Sequence, residues 1–337
     1  MRVGINGFGR IGRLALRIAS TLPDISWHCI NEPNSDSTIA AYLYNYDSVH
    51  GQATALASAT ETALTIGTHQ IPYVSHKGIE ARDWEGCDIV LECSGKYRTV
   101  ESLAGFFAAG VKRVIVAAPI SKQAINIVMG VNQQRYDARA HQVITAASCT
   151  TNCLAPIAHI MHQQIGISHG MITTMHCMTN TQSVIDKPSK DKRRARAASL
   201  NMIPTSTGSA STIGLIIPEL NGKLDGIAIR VPMVGASLLD CVFEMQRPTT
   251  RAEVNALFQH ASTQPAWAHI IGYDDAQLVS TDFRSDPRSA ILDASSTMVT
   301  AQTQVKIMAW YDNEMGYSQR YVELLQHVMQ QEHATHG

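Results

Sequence analysis

The stretch RVGINGFGRIGRLALRIA, residues 2–19, starts as an apolar run and passes through three glycines into a helical pattern. The run RVGIN at 2–6 has the length and composition of a buried strand. Gly7, Gly9 and Gly12 follow it with the spacing G-x-G-x-x-G. A lone match to this spacing is weak evidence. Its position between a strand and a helix is what favours a dinucleotide-binding turn.

Each glycine of this turn has its own physical role. Gly7 permits a tight turn, Gly9 lets the backbone approach a pyrophosphate, and Gly12 lets the helix pack closely on the strand. The helix N-terminus then attracts the anion. Glu32 ends the second predicted strand, about twenty residues further on, where its carboxylate binds a ribose 2′-hydroxyl and repels a 2′-phosphate. Glu32 therefore favours NAD over NADP. The alternative to a dinucleotide-binding site is a glycine-rich turn of another α/β fold.

The first half of the chain alternates apolar extended runs with helical patterns, which predicts a mostly parallel, doubly wound sheet. The predicted strands are RVGIN (2–6), WHCIN (27–31), DIVLEC (88–93), KRVIVAAP (112–119) and HQVITAAS (141–148), with extra antiparallel strands between 50 and 80. We therefore expect an α/β Rossmann-type NAD-binding domain over 1–148. A C-terminal helix over about 314–337 returns to it, since Tyr321, Leu324, Leu325 and Val328 share one helical face.

The second half has longer strands with fewer helices between them, which predicts an α+β catalytic domain with a mostly antiparallel sheet over 149–313. The predicted strands are GMITTMHCM (170–178), GIAIRVPMV (226–234), SLLDCVFEMQRP (237–248) and VKIMAWYD (305–312). Thr250 and Glu253 have the spacing of a capping box, so a helix is expected to begin there.

The overall composition limits the classes of function. The 337 residues are 45% hydrophobic and 16% charged, which suits a globular protein of about two domains. A formal net charge of −1 gives no global attraction to nucleic acid or to acidic membranes. We expect no signal peptide and no membrane span. Seven scattered cysteines, an odd number, favour reduced thiols and a cytoplasmic location.

The segment TAASCTTNCLAP, residues 145–156, places a cysteine where a strand-like run ends and a helical pattern begins. We expect Cys149 near a helix N-terminus, where the dipole and the free N–H groups stabilise a thiolate. The alternative is a small buried residue, which we expect Cys153 to be. Pro156 is tolerated if it falls in the first helical turn.

His176 is the candidate partner for this thiol among fourteen histidines. It follows the strand MITTM and precedes CMTNTQ, a polar segment whose hydroxyl groups can bind phosphate oxygens. His159 and His162 are three residues apart on a predicted helix, but no third metal ligand is evident. We expect these two side chains to lie on a solvated face, and we expect no metal site.

Seven motifs occur in an order that resembles the glyceraldehyde-3-phosphate dehydrogenase family over nearly the whole chain. They are INGFGRIGR, YDSVHG, SCTTNC, TNTQ, STGSA, IPELNGKLDGIAIRVP and WYDNEMGYS. The resemblance implies phosphorylating oxidation of an aldehyde with NAD. Cys149 attacks the aldehyde to give a hemithioacetal, His176 accepts the hydroxyl proton, and a thioester on Cys149 later acylates an inorganic oxyanion.

The resemblance also implies which residues bind the cofactor and the two anions. Backbone N–H groups of Arg10 and Ile11 hold the pyrophosphate, and Asn313 holds the nicotinamide carboxamide. The substrate phosphate binds Thr179, Thr181 and Arg230, and inorganic phosphate binds Ser148, Thr150, Thr207 and Gly208. An arginine of the KRRAR segment assists, and Arg193 is the expected one.

The basic run KPSKDKRRAR at 187–196 has three interpretations. The first is a solvated surface. The second is a patch that binds nucleic acid, but the run has no interleaved aromatic residues and the chain has no overall basic charge. The resemblance favours the third, a loop that packs in the core of a homotetramer near a neighbour's cofactor.

Several positions depart from the common pattern of this family, among them Glu32, Ala117 and Asn180. These departures resemble a subgroup associated with arsenic resistance, in which arsenate takes the place of phosphate. Erythrose-4-phosphate dehydrogenase is a further alternative, but it lacks the Ser206–Gly208 element present here. A non-catalytic NAD- or RNA-binding protein is the alternative from a different class, since a fold alone does not fix an activity.

Overall fold

The glycine-rich stretch forms a strand, a turn and a helix in the computed structural model, which describes residues 1–336 of the chain. The protein folds as two units. The first comprises Met1–Met129, Gln133–Ala147 and the C-terminal segment from Ser318. The second comprises Gly130–Asn132 and Ser148–Tyr317.

The first unit is built on a sheet with strand order β10-β11-β9-β8-β1-β2-β7-β6-β5. Its strands are β1 (Arg2–Asn6), β2 (Ser26–Asn31), β5 (Ala57–Thr60), β6 (Ala63–Ile66), β7 (His69–Val74), β8 (Ile89–Glu92), β9 (Arg113–Val116), β10 (Ile125–Asn126) and β11 (Val143–Thr145); β3 (Tyr46–Asp47) and β4 (Gly51–Gln52) form a separate hairpin. Neighbours from β10 to β7 pair in parallel, whereas β5, β6 and β7 pair antiparallel. This confirms the predicted doubly wound sheet with its antiparallel addition.

The second unit has a sheet with strand order β13-β14-β12-β15-β19-β17-β16, and β18 pairs with β19. Its strands are β12 (Ile167–His176), β13 (Ile203–Ser206), β14 (Leu224–Arg230), β15 (Ser237–Met245), β16 (Ile271–Asp274), β17 (Ala290–Asp293), β18 (Met298–Thr300) and β19 (Gln304–Tyr311). Most neighbours are antiparallel, and the pairs β12–β14 and β16–β17 are parallel. The predicted α+β class is confirmed.

The helices are α1 (Arg10–Ala19), α2 (Ser37–Asn45), α3 (Ala81–Trp84), α4 (Ala104–Ala108), α5 (Cys149–Gln164), α6 (Ile213–Ile216), α7 (Arg251–Thr263) and α8 (Met315–His336). The predicted apolar face of α8 is buried at Tyr321, Leu324, Leu325 and Val328. No helix within residues 1–336 is long and apolar enough to cross a membrane.

Three local expectations need correction. The run 141–148 is a strand only at Val143–Thr145, because Ala147 adopts a positive φ of 53° and ends the extended backbone. Pro156 lies inside α5, beyond its first turn, where it has no N–H to donate to the carbonyl four residues earlier. Thr250 caps α7 as predicted, but the carboxylate of Glu253 binds Arg247 and Thr249 instead of completing the capping box.

Two glycines of the turn are required by geometry. Gly7 has a φ of +92°, which L side chains rarely adopt, and a Cβ there would lie 2.4 Å from the backbone of Ser94. A Cβ on Gly12 would lie 2.2 Å from the carbonyl oxygen of Gly7. The packing of the turn against the segment after β8 therefore depends on the absence of a side chain at Gly7, and the close approach of α1 to the turn depends on its absence at Gly12.

Gly12→Ala is expected to lower the free energy of unfolding by about 1–3 kcal/mol, the usual cost of inserting a methyl group into a filled space. Denaturant unfolding measures it. Gly9→Ala is the matched control, since a Cβ at Gly9 meets nothing within 4 Å. Equal stability of the two variants would show that α1 moves away from β1 without cost.

Candidate active site

Helix α5 begins at Cys149 because the residues before it turn and cap the chain. Ala147 holds a left-handed conformation that non-glycine residues seldom adopt, which ends the extended backbone that follows β11. Ser148 is the N-cap, and its hydroxyl accepts a hydrogen bond from the N–H of Thr151 at 3.1 Å. Cys149 is thus the first residue of a long helix, as the sequence predicts.

The thiol of Cys149 faces the imidazole of His176, with 3.4 Å between Sγ and Nε2. His176 is the last residue of β12 and is buried, whereas Cys149 is half-buried. This distance is within reach of a hydrogen bond to sulfur. The structure therefore brings together the two residues predicted to share a proton, although they are 27 positions apart.

Burial shifts the pKa values of both members of this pair. Burial raises the pKa of the Cys149 thiol, against the cation of Arg230 and hydrogen bonds at the helix N-terminus, which lower it. Burial, followed by the charge of Arg230, lowers the pKa of His176 to about 3. The helix N-terminus is present, but desolvation outweighs it. Burial therefore opposes the stabilisation of a thiolate that the helix N-terminus and Arg230 provide.

Arg230 adjoins this pair from the end of β14. Its Nη1 lies 2.7 Å from Nδ1 of His176 and donates to the carbonyl oxygen of Cys177 at 3.1 Å. A guanidinium only donates, whereas the carbonyl oxygen of Cys177, 2.7 Å from the same Nδ1, only accepts, so Nδ1 serves one of these two neighbours at a time. Within residues 1–336 no carboxylate pairs with Arg230, and its buried Nε has no hydrogen-bond partner. Such a cation is well suited to bind an anion.

Arg230→Gln is expected to slow alkylation of Cys149 by iodoacetamide. Loss of the cation raises the pKa of the thiol further, and the thiolate fraction falls roughly tenfold for each unit of that rise. Arg230→Lys keeps the charge and is the control. Alkylation rates measured from pH 6 to pH 9 compare the variants. Faster alkylation in Arg230→Gln would contradict the expectation and indicate that an imidazolium forms at His176.

Hydroxyl groups cluster beside the start of α5. The hydroxyls of Ser148 and Thr207 each lie 3.0 Å from that of Ser209. Ser148 and Thr207 were predicted to bind the same anion, and the structure joins them through Ser209, which the sequence did not single out. Gly208 lies between Thr207 and Ser209 in the chain. A Cβ on Gly208 would meet nothing within 4 Å, so an anion can approach the backbone of this residue.

Thr150 is placed differently from its predicted neighbours. Its side chain is buried and its hydroxyl lies 2.9 Å from the hydroxyl of Tyr311, which also lies 2.8 Å from that of Thr174. The Thr150 hydroxyl can therefore bind an anion only if it gives up its hydrogen bond to Tyr311. Tyr311 also lies edge-on to His176, with ring centroids 6.1 Å apart. Tyr311 belongs to the motif WYDNEMGYS, but the sequence analysis assigned it no role at the site.

The other predicted anion residues follow β12. The hydroxyls of Thr179 and Thr181 lie 2.9 Å apart, so both can donate to one oxygen. In the basic run, Arg193 is exposed and reaches only the carbonyl of Pro204 at 3.4 Å. Arg194 is half-buried, donates to Thr205 at 2.9 Å, and acts electrostatically on Arg230. Arg194, which also pairs with Asp191 at 3.5 Å, is thus more buried than Arg193, the predicted arginine.

The residues predicted to hold NAD fit that cofactor. The N-cap of α1 is Gly9, which has no side chain to cap the helix amides, and the space beside it is open. Glu32 accepts from the N–H of Phe8 at 2.9 Å and from Asn34 at 3.0 Å. A carboxylate has about four acceptor positions, so it retains capacity for a ribose hydroxyl.

Asn313 lies between β19 and α8. Asp312 fixes this turn, because its carboxylate accepts from the N–H groups of Glu314 at 2.8 Å and Met315 at 2.9 Å. The amide oxygen of Asn313 accepts from the thiol of Cys177 at 2.8 Å and from the hydroxyl of Ser237 at 3.4 Å. The sequence did not single out Cys177 or Ser237.

The pair His159 and His162 does not lie on a fully solvated face, contrary to expectation. His159 stacks on Trp267 with ring centroids 5.7 Å apart, and Nδ1 of His162 accepts from the N–H of Ile167 at 3.1 Å. Both rings are half-buried because α5 packs inside the second unit. Among residues 1–336, no group of three or more potential ligands could hold a metal ion.

Comparisons with known proteins cover almost the whole chain. Two family models match, the glyceraldehyde 3-phosphate dehydrogenase NAD binding domain over residues 1–100 and the C-terminal domain of the same enzyme over residues 148–313. The chain is 54% identical to glyceraldehyde-3-phosphate dehydrogenase 3 of a Nostoc species, covering 97% of this chain and 98% of that protein. It is 45% identical to glyceraldehyde-3-phosphate dehydrogenase of Geobacillus stearothermophilus, with the same coverage.

Proposed function

The chain belongs to the glyceraldehyde-3-phosphate dehydrogenase family and is an NAD-dependent oxidoreductase acting on an aldehyde, and we propose that Cys149 is its nucleophile and His176 its base. The observation that carries this proposal is the 3.4 Å distance between Sγ of Cys149 and Nε2 of His176. Hydroxyl donors and the cation of Arg230 surround this pair, which suits a phosphorylated substrate.

The reaction proceeds on the sulfur of Cys149. Nε2 of His176 takes the proton of the Cys149 thiol, and the thiolate attacks the aldehyde carbon. The imidazolium returns this proton to the oxygen to give the hemithioacetal, and Nε2 takes the hydroxyl proton when the hydride leaves. NAD, when bound, supplies the hydride acceptor, and a thioester remains on Cys149. An oxyanion then attacks the thioester carbon and the carbon–sulfur bond breaks. The acyl group leaves on the oxyanion, and Cys149 is a thiolate again.

Arg230 decides whether Nε2 of His176 is free to take that proton. While the guanidinium donates to Nδ1, the ring proton of the neutral imidazole occupies Nε2. A substrate phosphate draws the guanidinium away. Nδ1 then carries the proton and donates to the carbonyl oxygen of Cys177, 2.7 Å away, which leaves Nε2 as the acceptor. Substrate binding thus prepares the base.

The two anion sites have separate donors. Thr179, Thr181 and Arg230 bind the substrate phosphate. The attacking oxyanion binds the cluster of Ser148, Thr207 and Gly208, which Ser209 joins. Thr150 also binds it, once the Thr150 hydroxyl has given up its hydrogen bond to Tyr311. Arg194 assists in place of Arg193. The backbone N–H of Cys149 stabilises the oxyanion that forms on the carbonyl.

The cofactor is held by groups of the α1 turn and by Asn313. Backbone N–H groups of Arg10 and Ile11, next to Gly7, Gly9 and Gly12, bind the pyrophosphate. Glu32 binds the adenosine ribose and disfavours the 2′-phosphate of NADP. Asn313 binds the nicotinamide carboxamide. The functional domains are proposed as 1–148 with the C-terminal helix, and 149–313.

The protein is proposed to act as a homotetramer in the cytoplasm. Exposed apolar side chains on the second unit support association with further copies; they are Met171, Val184, Ile185, Leu200, Met202 and Met298. Val184 and Ile185 adjoin the basic run 187–196, which we place in the subunit interface. The seven cysteines are free thiols, as expected for a reducing compartment.

Formation of NADH from glyceraldehyde 3-phosphate tests the proposed function. Reactions contain phosphate, arsenate or neither, with erythrose 4-phosphate and NADP in parallel. Oxyanion-dependent activity supports the proposal. A marked preference for arsenate at low oxyanion concentration favours the arsenic-resistance subgroup, and a preference for erythrose 4-phosphate without oxyanion favours that alternative. Protein that binds NAD but shows no activity in any reaction overturns the catalytic roles.

A further inference from the structure

Cys177, Ser237 and Asn313 meet at the ends of three adjacent strands. Cys177 follows β12, Ser237 begins β15, and Asn313 comes two residues after β19. All three side chains are buried, with at most 6% exposed. Residues 177 and 313 are 136 positions apart, and strand pairing brings them together.

Both neighbours donate to the same atom of Asn313. The thiol of Cys177 donates to Oδ1 at 2.8 Å, and the hydroxyl of Ser237 donates to it at 3.4 Å. The Ser237 oxygen accepts from the N–H of Cys177 at 3.1 Å, so its proton remains available for Asn313. Burial raises the pKa of the Cys177 thiol to about 12, which keeps it protonated as a donor at neutral pH.

These two donors select one orientation of the amide. A flipped amide would direct Nδ2 at the Ser237 oxygen, which already accepts from the N–H of Cys177, and at the Cys177 sulfur, which is a weak acceptor. In the observed orientation, no acceptor within residues 1–336 takes a hydrogen bond from Nδ2. The Nδ2 donor is therefore available to a ligand.

We propose that Cys177, with Ser237, is a positioning residue that fixes the amide of Asn313 so that Nδ2 donates to the carboxamide oxygen of the nicotinamide. The inference rests on the role proposed above for Asn313. Cys177 is also the residue directly after the base His176, and its own carbonyl oxygen lies 2.7 Å from Nδ1 of that ring. Cys177 thereby both orients the amide of Asn313 and lies next to His176.

The test compares NAD with ADP-ribose, which lacks the nicotinamide, by equilibrium binding to each variant. Cys177→Ala removes the thiol donor and is expected to weaken NAD binding about three- to tenfold, the loss of one neutral hydrogen bond, without weakening ADP-ribose binding. Cys177→Ser keeps a donor and is expected to restore NAD affinity to within about twofold. Cys241→Ala is the matched control, a buried cysteine of β15 with no contact to Asn313.

Three results overturn the proposal. They are unchanged NAD affinity in Cys177→Ala, equal loss of NAD and ADP-ribose affinity, and an equal effect of Cys241→Ala. Asn313→Ala separates this inference from the proposed function. If Asn313→Ala leaves the ratio of NAD to ADP-ribose affinity unchanged, the cofactor role of Asn313 fails as well. If Cys177→Ala does not fold, Ser237→Ala is measured in its place with the same expected ratio.

Discussion

Cys149→Ser is expected to lower kcat by roughly 10⁴- to 10⁶-fold, the scale on which removal of a covalent-catalysis residue is measured. A hydroxyl beside a neutral imidazole is a far weaker nucleophile than a thiolate, and the ester it would form acylates phosphate more slowly than a thioester. NAD affinity should stay within about twofold, because no proposed cofactor contact involves the Cys149 side chain. Steady-state NADH formation and NAD titration measure the two quantities.

Cys153→Ser is the matched control for this variant. Cys153 lies one turn further along α5 and is fully buried, and burial raises its pKa well above the usual value. A hydroxyl there costs about 1–3 kcal/mol of stability if it finds no partner, but kcat should change little. If both variants lost activity to a similar extent, disturbed packing of α5 would explain the loss, and the chemistry of Cys149 would not.

His176→Asn is expected to lower kcat by about 10²- to 10⁴-fold, the usual contribution of a general base. His169→Asn, an exposed position on the same strand β12, is the control. The reduction should appear in kcat more than in the affinity for NAD. Retention of wild-type kcat in His176→Asn would remove His176 from the mechanism.

The same variant has an expected effect on acid stability. The pKa of His176 is about 3 in the folded protein, below the ordinary histidine value of 6.5. Between these values the unfolded state binds more protons, so this residue makes the wild-type protein less stable as the pH falls from 6.5 toward 3. The Tm difference between His176→Asn and wild type should therefore become more positive from pH 7 to pH 4. A constant difference would contradict the low pKa.

Local sequence determined the fold class and singled out Cys149 and His176 as the candidate reacting pair. A strand, a glycine turn and a helix are properties of neighbouring residues, because chain geometry and the absence of a Cβ at Gly7 and Gly12 decide them. The start of α5 at Cys149 is local too, set by the Ser148 cap. The family resemblance of ordered motifs supplied the remaining residues of the predicted site.

Tertiary structure alone decided which groups surround these residues and how their side chains are oriented. A helix N-terminus near Cys149 is readable from sequence, but the burial that raises its pKa comes from segments distant in the chain. The contact of Arg194 with Thr205, that of Thr150 with Tyr311 and that of Asn313 with Cys177 all join segments that are distant in the chain. Desolvation and hydrogen-bond direction act through space, so no local pattern encodes them.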